Sequence, residues 1–165
     1  LSPEMKSTGE VMGISKTMGQ SFFRASISAG NIIPKNGRVF ISVNDSDKKN
    51  IIPVAKRLSN MGFSIIATAG TSDELNENQI LSQKIFKVGE GRPNVVDGIK
   101  NGDINLVINT PLGAQSRFDE EAIGRACIKK GILAITTLSG ANAAIDAICE
   151  IDKNPEVKSI QEYHL

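Results

Sequence analysis

From residue 38 onward, short apolar runs alternate with longer stretches of helical period, and the alternation repeats five times. The runs cover 38–43, 64–67, 84–88, 106–109 and 133–136, and all are rich in Val, Ile, Leu or Phe. Near-continuous apolar runs of this length predict strands buried on both faces of a parallel sheet. Between the first two, Ile51, Val54, Ala55, Leu58 and Met61 recur at helical spacing, and Gly62 stands where a helix would stop. Pro53 leaves two readings, a helix starting close to Asn50 or one that bends at the proline. The clearest helix follows Asp119, with Ala122, Ile123, Ala126 and Cys127 as its stripe and Lys130-Gly131 as its end. Shorter helices fit 72–78 and 94–101, and the small apolar segment 141–151 fits a helix lying close on a sheet. Five strand-then-helix units with short loops predict an α/β, Rossmann-like three-layer domain. Its five-stranded parallel sheet carries helices on both faces, joined by right-handed crossovers.

The segment before that rhythm differs. Residues 1–36 show no strand alternation, but Met18, Phe22, Phe23, Ala25 and Ile27 form one apolar helix face ahead of Gly30. This predicts a leader (1–36), a body (37–151) and a polar surface tail (152–165). The opening Leu1-Ser2-Pro3-Glu4 reads as part of something longer.

Composition narrows the function classes. The 165 residues are 40% hydrophobic, enough for a single core. With 19 basic and 18 acidic residues the net charge is +1, so no broad positive field exists for nucleic acid or anionic lipid, and any anion site must be local. No apolar run reaches the length of a membrane span, and no signal-peptide pattern opens the chain, so a cytoplasmic location is expected. Cys127 and Cys149 read as two buried helix-face residues of a reducing compartment, not as a disulfide.

Open parallel sheets bind ligands beyond the carboxyl ends of their strands. The loops expected there are 44–48, 68–72, 89–93, 109–113 and 136–140, and they gather Thr, Ser, Gly and a few cations. Short hydroxyl donors, glycines that admit close backbone approach, and Lys or Arg suit a phosphate monoester. The same residues are ordinary helix caps and turn formers, so each loop alone has a purely structural reading. Lys48 at a helix start is electrostatically disfavoured, which argues for a ligand role. Lys87 is a comparable case, and Arg92 has two readings, pairing with Glu90 or meeting a ligand. Lys48 and Thr71 are both expected near the surface and dispensable for folding. The one His lies in the tail, neither Cys has a metal-ligand spacing, and no Walker loop is present, so a binding module is expected over a catalyst.

The stretch Met5-Lys6-Ser7-Thr8-Gly9-Glu10-Val11-Met12-Gly13 is similar to the segment closing the second ATP-binding half of carbamoyl-phosphate synthase large chains. From Gly37 to about Ile148 the sequence resembles the methylglyoxal-synthase-like domain that ends those chains. Thr68-Ala69-Gly70-Thr71, Glu90-Gly91-Arg92-Pro93, Ile99-Lys100-Asn101-Gly102 and Ile108-Asn109-Thr110 carry that likeness. The resemblance implies a regulatory domain that binds a nucleotide monophosphate effector, UMP or IMP, with ornithine acting at its boundary with the catalytic body. It places the effector site on Lys48, Thr68, Gly70, Thr71, Lys87, Asn109, Thr110, Gly113 and Thr137, and the ornithine boundary at Thr136. Pro111 stands where some members carry a second hydroxyl, which removes possible donors.

The implied partners are the catalytic body of the same large chain and, through it, the glutaminase small subunit. The parent enzyme uses ATP with Mg or Mn to make carbamoyl phosphate from bicarbonate and glutamine-derived ammonia, for pyrimidine and arginine biosynthesis. This stretch is expected to hold no cofactor and to be inactive alone. The alternative is a free-standing methylglyoxal synthase, which eliminates phosphate from dihydroxyacetone phosphate. Its Gly-Gly-Asp catalytic segment corresponds here to Val95-Val96-Asp97, and no His lies in the body.

Overall fold

The computed structural model describes residues 9–110, 116–152, 158–159 and 161–163. Among the described residues there are five parallel strands: β1 (Arg38–Val43), β2 (Ser64–Ala67), β3 (Ser82–Lys84), β4 (Leu106–Thr110) and β5 (Leu133–Ile135). They lie in the order β3-β2-β1-β4-β5. The described helices are α1 (Met18–Ser28), α2 (Lys48–Asn60), α3 (Ala69–Glu77), α4 (Val95–Asn101), α5 (Ser116–Lys130) and α6 (Leu138–Ile148), with short 3-10 turns at Asp45–Asp47 and Gln161–Tyr163.

Strand period divides the core in two. Val39, Ile41 and Val43 of β1, with Ile65, Leu106, Ile108, Leu133 and Ile135, pack against Ile51, Val54 and Leu58 of α2, Leu75 of α3, and Ala144 and Ile145 of α6. The opposite face carries Phe40, Ile66 and Val107 against Val95 and Ile99 of α4 and Ile123, Ala126 and Cys127 of α5. Alternate residues thus face opposite layers, as the two-residue repeat of a strand requires. The three-layer arrangement matches the sequence expectation.

Several elements differ in detail. The third strand is Ser82–Lys84, earlier than the apolar run 84–88. Ile85 and Val88 pack on the second core cluster from outside β3, while Phe86 is half exposed and its ring lies on Gly91. A polar triplet serves as strand because β3 is an edge, paired only with β2. There Ser82 is tied inward: its hydroxyl lies 2.9 Å from that of Ser72, and its N–H donates to the Asn76 side chain at 2.9 Å. Helix α2 begins at Lys48, so Pro53 sits inside it, exposed on the solvent side. Cys127 is buried as expected, but Cys149 is exposed, because α6 ends at Ile148 and leaves it at the cap rather than on the packed face.

The leader helix α1 packs on α6, with Phe22 and Phe23 against the first core cluster. The approach depends on Gly19, where an added Cβ would lie 2.8 Å from the backbone carbon and oxygen of Asp146. Beyond α1, Ile33 is buried in the core and Ile32 makes a parallel bridge to Ile132, next to β5. The Arg24 guanidinium donates to the Ile14 carbonyl and to the Tyr163 hydroxyl, both at 2.8 Å, joining the start of the leader to the tail.

Candidate functional site

Strand order reverses between β1 and β4, since β2 and β3 extend one way from β1 and β4 and β5 the other. A crevice opens at such a switch point beyond the carboxyl ends of the strands. It is there, with a volume of about 500 Å³. Its floor follows from register. Phe40 pairs with Ile66 on one side and Val107 on the other, forming an apolar row across the sheet. Two residues later the same face presents Thr68, Ser42 and Asn109, a polar row that lines the cavity. The Ser42 and Thr68 hydroxyls lie 3.2 Å apart. Val88, Val95 and Ile123 make an apolar wall, while Asn44, Asp45, Ser46, Lys87, Thr110 and Asp119 complete the lining.

Helix α3 starts at the edge of this cavity. Thr68 is its N-cap residue, yet the side chain makes no capping hydrogen bond. Thr17, Asn44, Asn94 and Thr137 all spend a side-chain oxygen on the helix or turn they precede. The hydroxyl of Thr68 instead faces Ser42 and donates to Thr71 Oγ1 at 3.4 Å. The first intrahelical bond of α3 runs from the Ser72 N–H to the Thr68 carbonyl at 2.8 Å. The N–H groups of Ala69, Gly70 and Thr71 therefore have no partner within the helix and carry its positive dipole end. Gly70 keeps the approach open, and a Cβ there would lie 3.3 Å from Lys48 Nζ.

Thr71 is not near the surface as the sequence suggests; it is 1% exposed. The reason is a mismatch of strand lengths. β2 pairs with β1 only as far as Ile41 opposite Ala67, while β1 continues to Val43. The Val43 N–H, beyond the reach of β2, donates to Thr71 Oγ1 at 3.2 Å. Thr110 has a comparable task at the end of β4, accepting from the Asn44 N–H at 3.4 Å and from Asn44 Nδ2 at 3.3 Å.

The cations stand at the mouth. Lys48 opens α2 and lies 2.8 Å from the almost fully exposed Asp45 carboxylate. The hydrogen bond to Asp45 holds the Lys48 ammonium above its usual pKa. In return the hydrogen bond and charge of Lys48, with a smaller pull from Lys87, hold Asp45 below the usual carboxylate range. Arg92 pairs not with Glu90 but with Asp97, at 3.4 Å, and Glu90 accepts the Lys87 N–H at 3.1 Å.

Of the residues expected at the site, Thr68, Lys87, Asn109 and Thr110 line one cavity, and Lys48, Gly70 and Thr71 adjoin it. Thr136 and Thr137 do not line it; they are exposed beyond β5, and the Thr137 hydroxyl caps α6 by accepting the Gly140 N–H at 3.0 Å. Gly113 and Pro111 lie outside the described residues. Sequence reasoning gave no ligand role to Ser42, Asn44, Asp45 or Asp119, although Asn44 and Asp45 lie in a loop expected at the site. The first three were detectable as the end of the first strand and its following loop. Among the described residues no group of three or more His, Cys, Asp or Glu is placed to hold a metal ion, and no helix is long and apolar enough to cross a membrane.

A sheet with this order, helices on both faces and a polar row at its switch point defines a three-layer α/β domain, and comparison gives it a family. The profile of the MGS-like domain family matches residues 50–136, and the chain belongs to that family. Over 99% of its length it is similar to carbamoyl phosphate synthase large chains. It is 47% identical to the large chain of Acidobacterium capsulatum, of which it spans 15%. It is 46% identical to the large chain, C-terminal section, of Aquifex aeolicus and 44% identical to that of Methanopyrus kandleri, spanning 32% and 31% of those proteins. The fold also resembles the crystal structure of methylglyoxal synthase from Elizabethkingia anophelis, with a TM-score of 0.57 at 13% identity. That likeness covers 80% of this chain and 92% of the other.

Proposed function

We propose that this chain is the regulatory section of a carbamoyl-phosphate synthase large chain, and that it binds the phosphate of a nucleoside monophosphate effector, UMP or IMP, at the start of α3. The observation that carries the reading is Thr68. It holds a helix N-cap position without capping, beside three helix N–H groups and Lys48, and in one polar row with Ser42 and Asn109. Dipole, donors and cation together suit a phosphate, and the apolar wall of Val88, Val95 and Ile123 suits the rest of a nucleotide.

In this proposal the catalytic body of the same large chain holds ATP with Mg or Mn and makes carbamoyl phosphate from bicarbonate and ammonia. A glutaminase subunit supplies that ammonia, in the cytoplasm, for pyrimidine and arginine synthesis. Residues 1–36 are the tail of the preceding ATP-binding unit, 37–151 the effector domain and 152–165 a surface tail, with ornithine acting at the boundary near Thr136. An effector that prefers one arrangement of this domain against the catalytic body shifts the population of active enzyme by the difference of its two affinities.

The alternative, a free-standing methylglyoxal synthase, is not favoured. The Asp97 carboxylate accepts the Asn94 N–H at 3.0 Å in a capping box and pairs with Arg92, and it does not line the cavity.

Calorimetric titration with UMP, IMP, uridine and ornithine tests the reading. A nucleotide should bind at one site per chain, uridine far more weakly, and Lys48→Ala should weaken the nucleotide at least about tenfold. Uridine binding as tightly as UMP, or Lys48→Ala binding like the parent, overturns the phosphate assignment.

A further inference from the structure

We infer that Asp45 is a built-in competitor for the effector phosphate: its carboxylate holds the anion position beside Lys48 and must be displaced for a phosphate to enter. This inference rests on the phosphate reading above and adds a determinant of affinity to it.

Asp45 lies in the 3-10 turn Asp45–Asp47 between β1 and α2 and lines the cavity. Its partner is the cation nearest the start of α3: the carboxylate is 2.8 Å from Lys48 Nζ, and that nitrogen stands 3.3 Å from where a Gly70 Cβ would be. The side chain of Asp45 is 93% exposed, so nothing in the fold needs its charge there, while Lys48 is 28% exposed and held over the helix end. Lys87, which lines the same cavity, adds a smaller pull on this carboxylate. Asp47, two residues on, is engaged differently: its carboxylate accepts from Asn44 Nδ2 at 2.8 Å and pairs with no cation of the site. A phosphate approaching the α3 N–H groups therefore meets a lysine already paired with a carboxylate, and taking that carboxylate's place gains only the difference between two ion pairs.

Displacement also gives the site a preference for charge. A dianion, which outbids a single carboxylate, gains more from Lys48 and Lys87 together than a monoanion does.

The test is titration of UMP and of inorganic phosphate into five forms of this 165-residue chain at low salt: the parent, Asp45→Asn, Asp47→Asn, Lys48→Ala, and Asp45→Asn combined with Lys48→Ala. Circular dichroism of each checks that it is folded. Asp45→Asn should tighten both ligands about fivefold, and the gain should fade as salt is raised. Asp47→Asn should change affinity by less than about twofold, because its carboxylate does not hold the lysine. Without Lys48, adding Asp45→Asn should gain less than about twofold. Unchanged or weaker binding by Asp45→Asn, an equal gain from Asp47→Asn, or a full gain in the absence of Lys48 overturns the inference while leaving the phosphate site intact. Parent-like binding by Lys48→Ala removes the phosphate site, and the inference with it.

Discussion

Replacing Thr71 by Val separates what the fold needs from what a ligand would use. The two side chains have nearly the same shape and both are β-branched, so volume and helix propensity barely change. What is lost is a hydroxyl at a position 1% exposed. Val43 N–H, which donates to that oxygen at 3.2 Å, lies past the end of β2 and has no strand to take its place. A buried donor stripped of its acceptor costs its full desolvation, about 1 to 3 kcal/mol, rather than the smaller net value of a hydrogen bond. Thr68 loses an acceptor too, but it keeps Ser42 at 3.2 Å. Equilibrium unfolding in urea should therefore show a lower midpoint with an unchanged slope, and thermal melting a Tm lower by roughly 3 to 10 °C for a domain of this size. Calorimetry on the same protein should show a smaller effect on nucleotide binding, since the Thr71 backbone N–H at the start of α3 is untouched. Stability within about 0.5 kcal/mol of the parent would refute the argument, because it would mean that Val43 N–H finds water or another acceptor.

Gly70→Ala should raise stability by about 0.4 to 1 kcal/mol, as a glycine in a helical turn is replaced by a better helix former, yet weaken UMP, because the new methyl stands 3.3 Å from Lys48 Nζ. Urea unfolding and calorimetry on one sample check both signs. Gly19→Ala should destabilise by about 1 to 3 kcal/mol, since its Cβ meets the Asp146 backbone at 2.8 Å, and protease cleavage should then begin in the leader. With a thiol reagent near pH 8, the exposed Cys149 should react at once, and Cys127, whose thiol burial pushes up to about 11, only on unfolding. Incubation with dihydroxyacetone phosphate should yield no methylglyoxal above a heat-denatured control.

Where a residue's role follows from local periodicity, it was legible. Val39, Ile41 and Phe40 announce a strand buried on two faces, and Ile51, Val54 and Leu58 announce the stripe of α2. The third strand was misplaced because hydrophobicity marks burial, not pairing: Ile85 and Val88 are buried from outside β3, and the strand itself is Ser82-Gln83-Lys84. The loops of the site were legible from strand-end position and composition, and four of the expected residues do line one cavity. The structural duty of Thr71 was not, since it depends on β1 outrunning β2, a relation between two segments that neither displays. Nor was the difference between Thr68 and Thr137 visible, as both precede a helix and only the geometry separates an N-cap hydroxyl that bonds elsewhere from one that caps.

The seating of the leader bears on how this domain can be isolated. A piece beginning at Gly37, where the apolar rhythm starts, would omit Ile33 from the core, the bridge of Ile32 to Ile132 beside β5, and the aromatic pair of α1 over α6. It would expose an apolar helix face next to an unguarded strand edge, two surfaces that invite copies of the chain to adhere to one another. The sequence boundary at residue 37 is thus a seam in pattern but not in packing, and a cut made ahead of α1 leaves the more soluble fragment.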